Sequence, residues 1–199
     1  MKKSTLLSVV LLFTAIFAVR AQNQLSKGNV LVGADLTNMN VQLNSPNVFN
    51  LTIDPKAAWF IQNNLAVGPY INFTLATAKG AGTSITYGVG GFVRLYIQKV
   101  NDKNINLSQH ARFFLEGNAG VEGNNPAQGG NTNGLGLGIG PGLAYFISPN
   151  IALETLFKFN GIVGFGSTTA NSTLSLAVGF QIYMPGKKAQ AAMKGQQIQ

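Results

Sequence analysis

Trp59-Phe60-Ile61-Gln62-Asn63-Asn64-Leu65-Ala66-Val67 reads as an aromatic-rich strand end, a tight Asn-containing turn and a second apolar strand. Far downstream, Tyr145-Phe146-Ile147-Ser148-Pro149-Asn150-Ile151-Ala152-Leu153 repeats the pattern. One short hairpin used at two distant places points to an up-and-down β meander. Which face of that meander carries the charge decides whether it closes in water or in a membrane.

Outward from the two hairpins, the chain divides into eight segments of alternating polarity, at 28–38, 48–61, 65–77, 84–98, 111–121, 134–147, 151–161 and 172–184. The last sets Leu174, Leu176, Val178, Phe180 and Ile182 against Thr173, Ser175, Ala177, Gly179 and Gln181. The sixth sets Leu135, Leu137, Ile139, Leu143 and Tyr145 against glycine at 134, 136, 138, 140 and 142. Glycine at every inward position leaves room for long side chains across a lumen. A tilted membrane strand needs about 9–11 residues, which each segment supplies. Pro55, Pro69 and Pro141 cannot donate to a ladder and are expected at bulges or near strand ends. Connections rich in Asn, Gly, Ser and Thr are expected at 39–47, 78–82, 122–133 and 162–171.

The first residues carry a separate signal. Lys2 and Lys3 precede an apolar run from Leu6 to Val19, and Val19-Arg20-Ala21 fits a small-residue cleavage site. The run is shorter than the roughly 20 residues of a spanning helix. It reads as a secretory signal peptide at 1–21, followed by one barrel domain at 22–184 and a short basic tail at 185–199. There is no cysteine, so neither a disulfide nor a lipoprotein anchor is expected.

Charged residues make up only 10% of the chain, against about 25% in ordinary globular domains. The formal charge of +8 does not describe a nucleic-acid binder. Lys2, Lys3 and Arg20 belong to the leader, Lys187, Lys188 and Lys194 to the tail, and no basic stripe remains to follow phosphates. A soluble lipocalin-like barrel would put its apolar face inside, around a ligand. Here the other face is mostly Gly, Ser, Thr and Asn, too poor in charge for a soluble exterior. The apolar face is also too large for an eight-stranded lumen. The fold class is therefore all-β, an eight-stranded antiparallel up-and-down transmembrane β-barrel behind a cleaved signal peptide. Trp59, Tyr96, Tyr145 and Tyr183 are expected as interfacial aromatics at the membrane–water boundary.

Asp35, Asp54, Lys56, Arg94, Arg112, Glu116, Glu154 and Lys158 share the polar face. Four positive and four negative groups in one narrow lumen must pair or be solvated. A balanced set predicts an ion-pair network that closes the lumen, whereas a selective pore is expected to show a surplus of one sign.

The stretch Pro55-Lys56-Ala57-Ala58-Trp59-Phe60-Ile61-Gln62-Asn63-Asn64-Leu65-Ala66-Val67-Gly68, its second copy at 145–153 and the final strand with Gly179, Phe180, Ile182 and Met184 together resemble a known family. These are the small porin-like outer-membrane β-barrel proteins of Gram-negative bacteria, of the OmpX/OmpW type. The resemblance covers essentially 28–184. Family chains often end on an aromatic residue, whereas 185–199 follows here. The resemblance implies an outer-membrane location, both termini and short turns on the periplasmic side, longer loops outside, and a closing strand read by the barrel-insertion machinery. It implies outer-membrane lipids as partners and little about a specific activity.

An enzyme is the competing class, since some such barrels modify lipid A with a Ser and a His. His110 is the single histidine, in a polar connection near Ser108, with Glu116 a few residues along. Without a motif around it, a lone His of this kind is expected to be solvated, and no catalytic residue is assigned. The glycine alternation lacks a dinucleotide-binding spacing, and no cluster has metal-ligand spacing, so no cofactor is expected. The expectation is a structural or surface-interaction protein with a largely filled lumen and loops that can meet an extracellular ligand. Passive diffusion of small solutes is the alternative.

Overall fold

The computed structural model describes residues 24–42, 48–80, 82–97, 110–165 and 170–186. The expected signal peptide at 1–21, the expected tail from 187 and parts of the expected loops lie outside the described residues. Eight strands follow one another: β1 (Val30–Gln42), β2 (Val48–Gln62), β3 (Leu65–Ala78), β4 (Gly82–Tyr96), β5 (Ala111–Asn125), β6 (Thr132–Ser148), β7 (Ile151–Gly164) and β8 (Ala170–Met184). Each pairs antiparallel with its neighbours in sequence, and β1 pairs with β8, so the sheet closes on itself. Closure leaves no open edge of unpaired backbone groups, a condition for life in lipid and an advantage in water.

The strands run further than the sequence pattern suggested. β1 continues to Gln42, β5 to Asn125 and β7 to Gly164, and β6 and β8 begin at Thr132 and Ala170, inside three of the expected loops. At the facing ends of β5 and β6 the chain is mostly Gly, Asn and Thr, residues that favour turns when read alone. Ladder pairing such as Gly123↔Asn133 and Asn124↔Thr132 overrides that preference.

The prolines also sit differently from expectation. Pro55, Pro69 and Pro141 lie mid-strand and point outward, and the register runs unbroken past them. What they remove is pairing toward one neighbour only, as in β6–β7, where the ladder skips from Ile139↔Phe159 to Gly142↔Leu156 in the same register. The bulges lie elsewhere, and two of them unite the repeated hairpins. In β2–β3 the register shifts between Phe60 and Gln62; in β6–β7 it shifts at the equivalent place, between Phe146 and Ser148. At both turns a carbonyl then accepts from the next strand along, Asn64 from the Tyr96 amide at 2.8 Å and Asn150 from the Tyr183 amide at 2.7 Å. Asn64 takes a left-handed φ of 65°, which Asn tolerates better than most residues.

Period-2 alternation sorts the two faces. Outward positions such as Val93, Leu95, Ile139, Phe157, Leu176 and Val178 are exposed. On β8 the outward apolar row runs from Leu174 to Met184. Ten steps of ~3.3 Å give about 33 Å along the strand, and a tilt of about 40° brings that near the ~25 Å apolar band of outer-membrane barrels. Among the described residues, every Asp, Glu, Lys and Arg within the eight strands falls on the inward register.

Candidate functional site

The inward side chains build the site, and they differ along the barrel axis. Near the turns at 63–64 and 149–150 the lumen is packed. Phe60, Tyr96, Phe114, Phe146 and Tyr183 are buried together. Their rings lie 5.8 Å apart for Phe60–Tyr96, 5.6 Å for Tyr96–Phe114 and 4.9 Å for Phe146–Tyr183. Leu25, from the segment before β1, packs on this cluster. That segment is held across the base by Asn64 N donating to the Leu25 carbonyl and Gly28 N to the Phe60 carbonyl, both at 2.8 Å.

This packing corrects one sequence expectation. Tyr96 and Tyr183 are 2% and 1% exposed and belong to the lumen, not to an interfacial girdle. Their register gives the reason: Tyr96 is two residues from Arg94, Tyr183 two from Gln181, so each shares its neighbour's inward face. Trp59 and Tyr145 are outward, 53% and 41% exposed.

Above the aromatic layer lie the charges. The fully buried Arg94 donates through Nε (3.0 Å) and Nη2 (2.7 Å) to Glu116 Oε2, and through Nη1 to Glu154 Oε2 at 2.7 Å. Its guanidinium stands 4.1 Å over the Phe114 ring. Lys56 Nζ meets Asp35 Oδ2 at 2.6 Å and Glu116 Oε2 at 3.1 Å, and Lys158 Nζ reaches Glu116 Oε1 at 3.3 Å. The Tyr183 hydroxyl donates to Glu154 Oε1 at 2.6 Å and shares a 2.7 Å hydrogen bond with the Tyr96 hydroxyl. Gln181 Nε2 donates to Asp35 Oδ1 at 2.9 Å. Six of the eight charged residues singled out from sequence are thus joined in one network of ion pairs. Three cations face three carboxylates, which is how buried charges avoid the full cost of desolvation.

The other two are placed apart from that network. Asp54 accepts from Asn72 Nδ2 in the half of the lumen toward the loops. Arg112, at the turn end of β5, donates from Nη1 to the Ala111 carbonyl at 2.7 Å. One inward carboxylate was missed. Glu122 falls in the expected connection at 122–133, but β5 continues through it and it accepts from the Tyr70 hydroxyl at 3.1 Å. The even-numbered register Glu116, Asn118, Gly120, Glu122 was the available signal.

The glycine face of β6 does two jobs. A Cβ at Gly136 would collide with the Glu122 carboxylate, one at Gly138 with Asn118, Asn160 and Lys158, and one at Gly142 with the Phe114 ring. These glycines make room for long side chains from neighbouring strands. Gly134 and Gly140 are instead pressed by the backbone carbonyls of Val163 and Phe157.

His110 is exposed at the start of β5, with its ring 6.2 Å from that of Tyr145. Ser108 lies outside the described residues, and the Glu116 carboxylate is held by three cations at the barrel centre. Among the described residues there is no group of His, Cys, Asp and Glu able to hold a metal ion.

A closed eight-stranded barrel with a polar, charged interior and an apolar exterior defines the class: this chain has the fold of the small outer-membrane β-barrels. Neisserial surface protein A superimposes with a TM-score of 0.51 at 18% identity, covering 77% of this chain and 95% of that one. The N-terminal β-barrel of Pseudomonas aeruginosa OprF (TM-score 0.45, 12% identity, 78% and 98% covered) is also similar. So is Yersinia pestis Ail (TM-score 0.45, 13% identity, 77% and 97% covered). No family model matches the chain, and no curated protein matches it in sequence.

Proposed function

We propose that this chain is an integral outer-membrane protein with a structural or surface-interaction role and a lumen sealed at its turn end. The observation that carries the reading is the sorting of side chains. Charges within the described strands lie on the inward register, while large apolar side chains cover the outside. In water such an exterior is an aggregation liability; in lipid it is the required solvent match. The turns at 63–64 and 149–150 and both termini face the periplasm, residues 1–21 are the export signal, and β8 serves the insertion machinery. Loops on the opposite end meet the extracellular medium, where a ligand can be engaged.

Passive diffusion of small solutes is the second reading, favoured only by the open loop-end half of the lumen. The buried cluster around Arg94 argues against it, because it fills the cross-section next to the turns. Extraction of cell envelopes with alkaline carbonate tests the membrane reading. The protein is expected to stay in the pellet, with a mature chain beginning at Gln22. Release into the soluble fraction contradicts it and favours a water-soluble barrel.

A further inference from the structure

We propose that residues 24–29 form a clasp that locks the β1–β8 seam, with Asn29 as its latch. The proposal rests on ladder and strap geometry and not on the membrane role. The seam is the weakest closure of the barrel by construction. Its pairing runs only from Val30↔Met184 to Thr37↔Ala177, and β1 beyond Thr37 pairs with β2. Every other pair of neighbouring strands has a longer ladder among the described residues. Those pairs are also joined by a direct connection, whereas β1 and β8 meet from opposite ends of the barrel sequence. A short ladder with no turn to hold either end opens more readily than the rest of the sheet.

At the turn end the strap supplies what the seam lacks. β1 stands between β2 and β8, and the buried Asn29 reaches both sides. Its Oδ1 accepts from Gly186 N at 3.2 Å, just past the end of β8. Its carbonyl accepts from Phe60 N of β2 at 2.9 Å. The latch is itself fixed by the strap: Asn29 Nδ2 donates to the Gln24 carbonyl and Asn29 N to the Ser26 carbonyl, both at 3.1 Å. Lys27 N donates to Asn63 Oδ1 at 2.9 Å, which ties the strap to the β2–β3 turn. Leu25 anchors it on the aromatic cluster. Gly28 takes a φ of 91°, a backbone turn that glycine makes without strain. A Cβ on Gly186 would collide with the Gly28 carbonyl, so the two backbones touch where the seam begins. One side chain thus joins the first strand to the last, and the strap holds that side chain in place.

The test is backbone hydrogen exchange, read by NMR on the full chain folded in detergent micelles. In wild type, protection along the seam is expected to be highest beside Leu31 and Tyr183 and to fall toward Thr37 and Ala177; a ladder without a clasp frays from both ends. Asn29→Ala and Gly186→Ala are each expected to speed exchange at the strap end of the seam about ten-fold, as for one lost buried hydrogen bond. Deletion of 24–27, which leaves every strand whole, is expected to act in the same direction. Exchange across β4–β5, between Val89 and Leu95, is expected to stay unchanged. Folding of each variant is checked by its heat-dependent gel migration. A wild-type seam that frays equally from both ends overturns the proposal, and this result needs no variant to fold. So does a folded variant with an unchanged seam, or one whose exchange rises equally in β4–β5. An unclasped seam leaves the membrane reading standing, since closure and lipid exposure are measured separately.

Discussion

Next to the turns, Phe60, Tyr96, Phe114, Phe146 and Tyr183 fill the lumen beneath Arg94; toward the loops, Thr, Asn and Ser surround an open cavity of about 330 Å³. The two halves use the same strands and the same alternation, and differ only in which side chains stand inward. On β4 the inward series runs Thr86, Gly88, Gly90, Phe92, Arg94, Tyr96 from loop end to turn end; on β8 it runs Thr173, Ser175, Ala177, Gly179, Gln181, Tyr183. On both, small inward residues in the loop-end half give way to the largest ones next to the turns. Strand count sets the lumen's width; in the proposed reading this gradient sets where it is closed.

The largest expected difference between the halves comes from cutting the central network. Arg94→Ala leaves Glu116 with fewer cations and Glu154 with none among the ion pairs described, both deep in the packed half. A loss of about 3–5 kcal/mol is expected, as for a buried pair broken on one side. Glu122→Gln, which faces the cavity and accepts one hydrogen bond from a tyrosine, is expected to cost about 1 kcal/mol. Urea unfolding in lipid vesicles measures both, and equal losses would erase the distinction between a sealed half and an open one.

A second pair of substitutions contrasts the two faces of one strand. Leu176→Arg puts a charge on the outward face and is expected to cost about 2–4 kcal/mol near the bilayer midplane. Ser175→Arg points into the open half, where the cavity leaves room, and is expected to stay within about 1 kcal/mol. The same vesicle-folding measurement applies, and equal effects would mean that the assigned facing is wrong.

A smaller effect separates the aromatic residues by location. Tyr96→Phe removes a hydroxyl that meets both Arg94 Nη1 and the Tyr183 hydroxyl, at an expected cost of about 1–2 kcal/mol. Tyr145→Phe, on the exterior, is expected to fall within about 0.5 kcal/mol. Trp59 is the single tryptophan and is half exposed on the outside near a turn. Its fluorescence should be quenched more by lipid brominated near the headgroup than by lipid brominated at the chain end. The reverse order would place it at mid-membrane.

Strand number, order and facing were legible because period-2 alternation is strong wherever Leu, Val, Ile and Phe mark the outward face, as in β8. Strand ends were less legible. At Glu122–Asn125 and Thr132–Asn133 the chain is spelled in turn-favouring residues, and only pairing with a neighbour makes it strand. The charged residues were legible by type and parity, but their partners were not, because Arg94 and Glu154 are brought together by closure of the barrel and not by local spacing. Tyr96 and Tyr183 show how a chemical stereotype misleads: aromatic residues near strand ends suggest an interface, while their parity with Arg94 and Gln181 already placed them inside.

The claim that the turn-end half seals the lumen is tested most directly by single-channel recording of the purified wild-type barrel in planar bilayers. The account predicts a quiet membrane, because the aromatic layer and the Arg94 cluster interrupt any water path, with Arg94→Ala giving leak events that wild type lacks. Stable, large, voltage-independent openings from the wild-type monomer would contradict it and make the chain a pore.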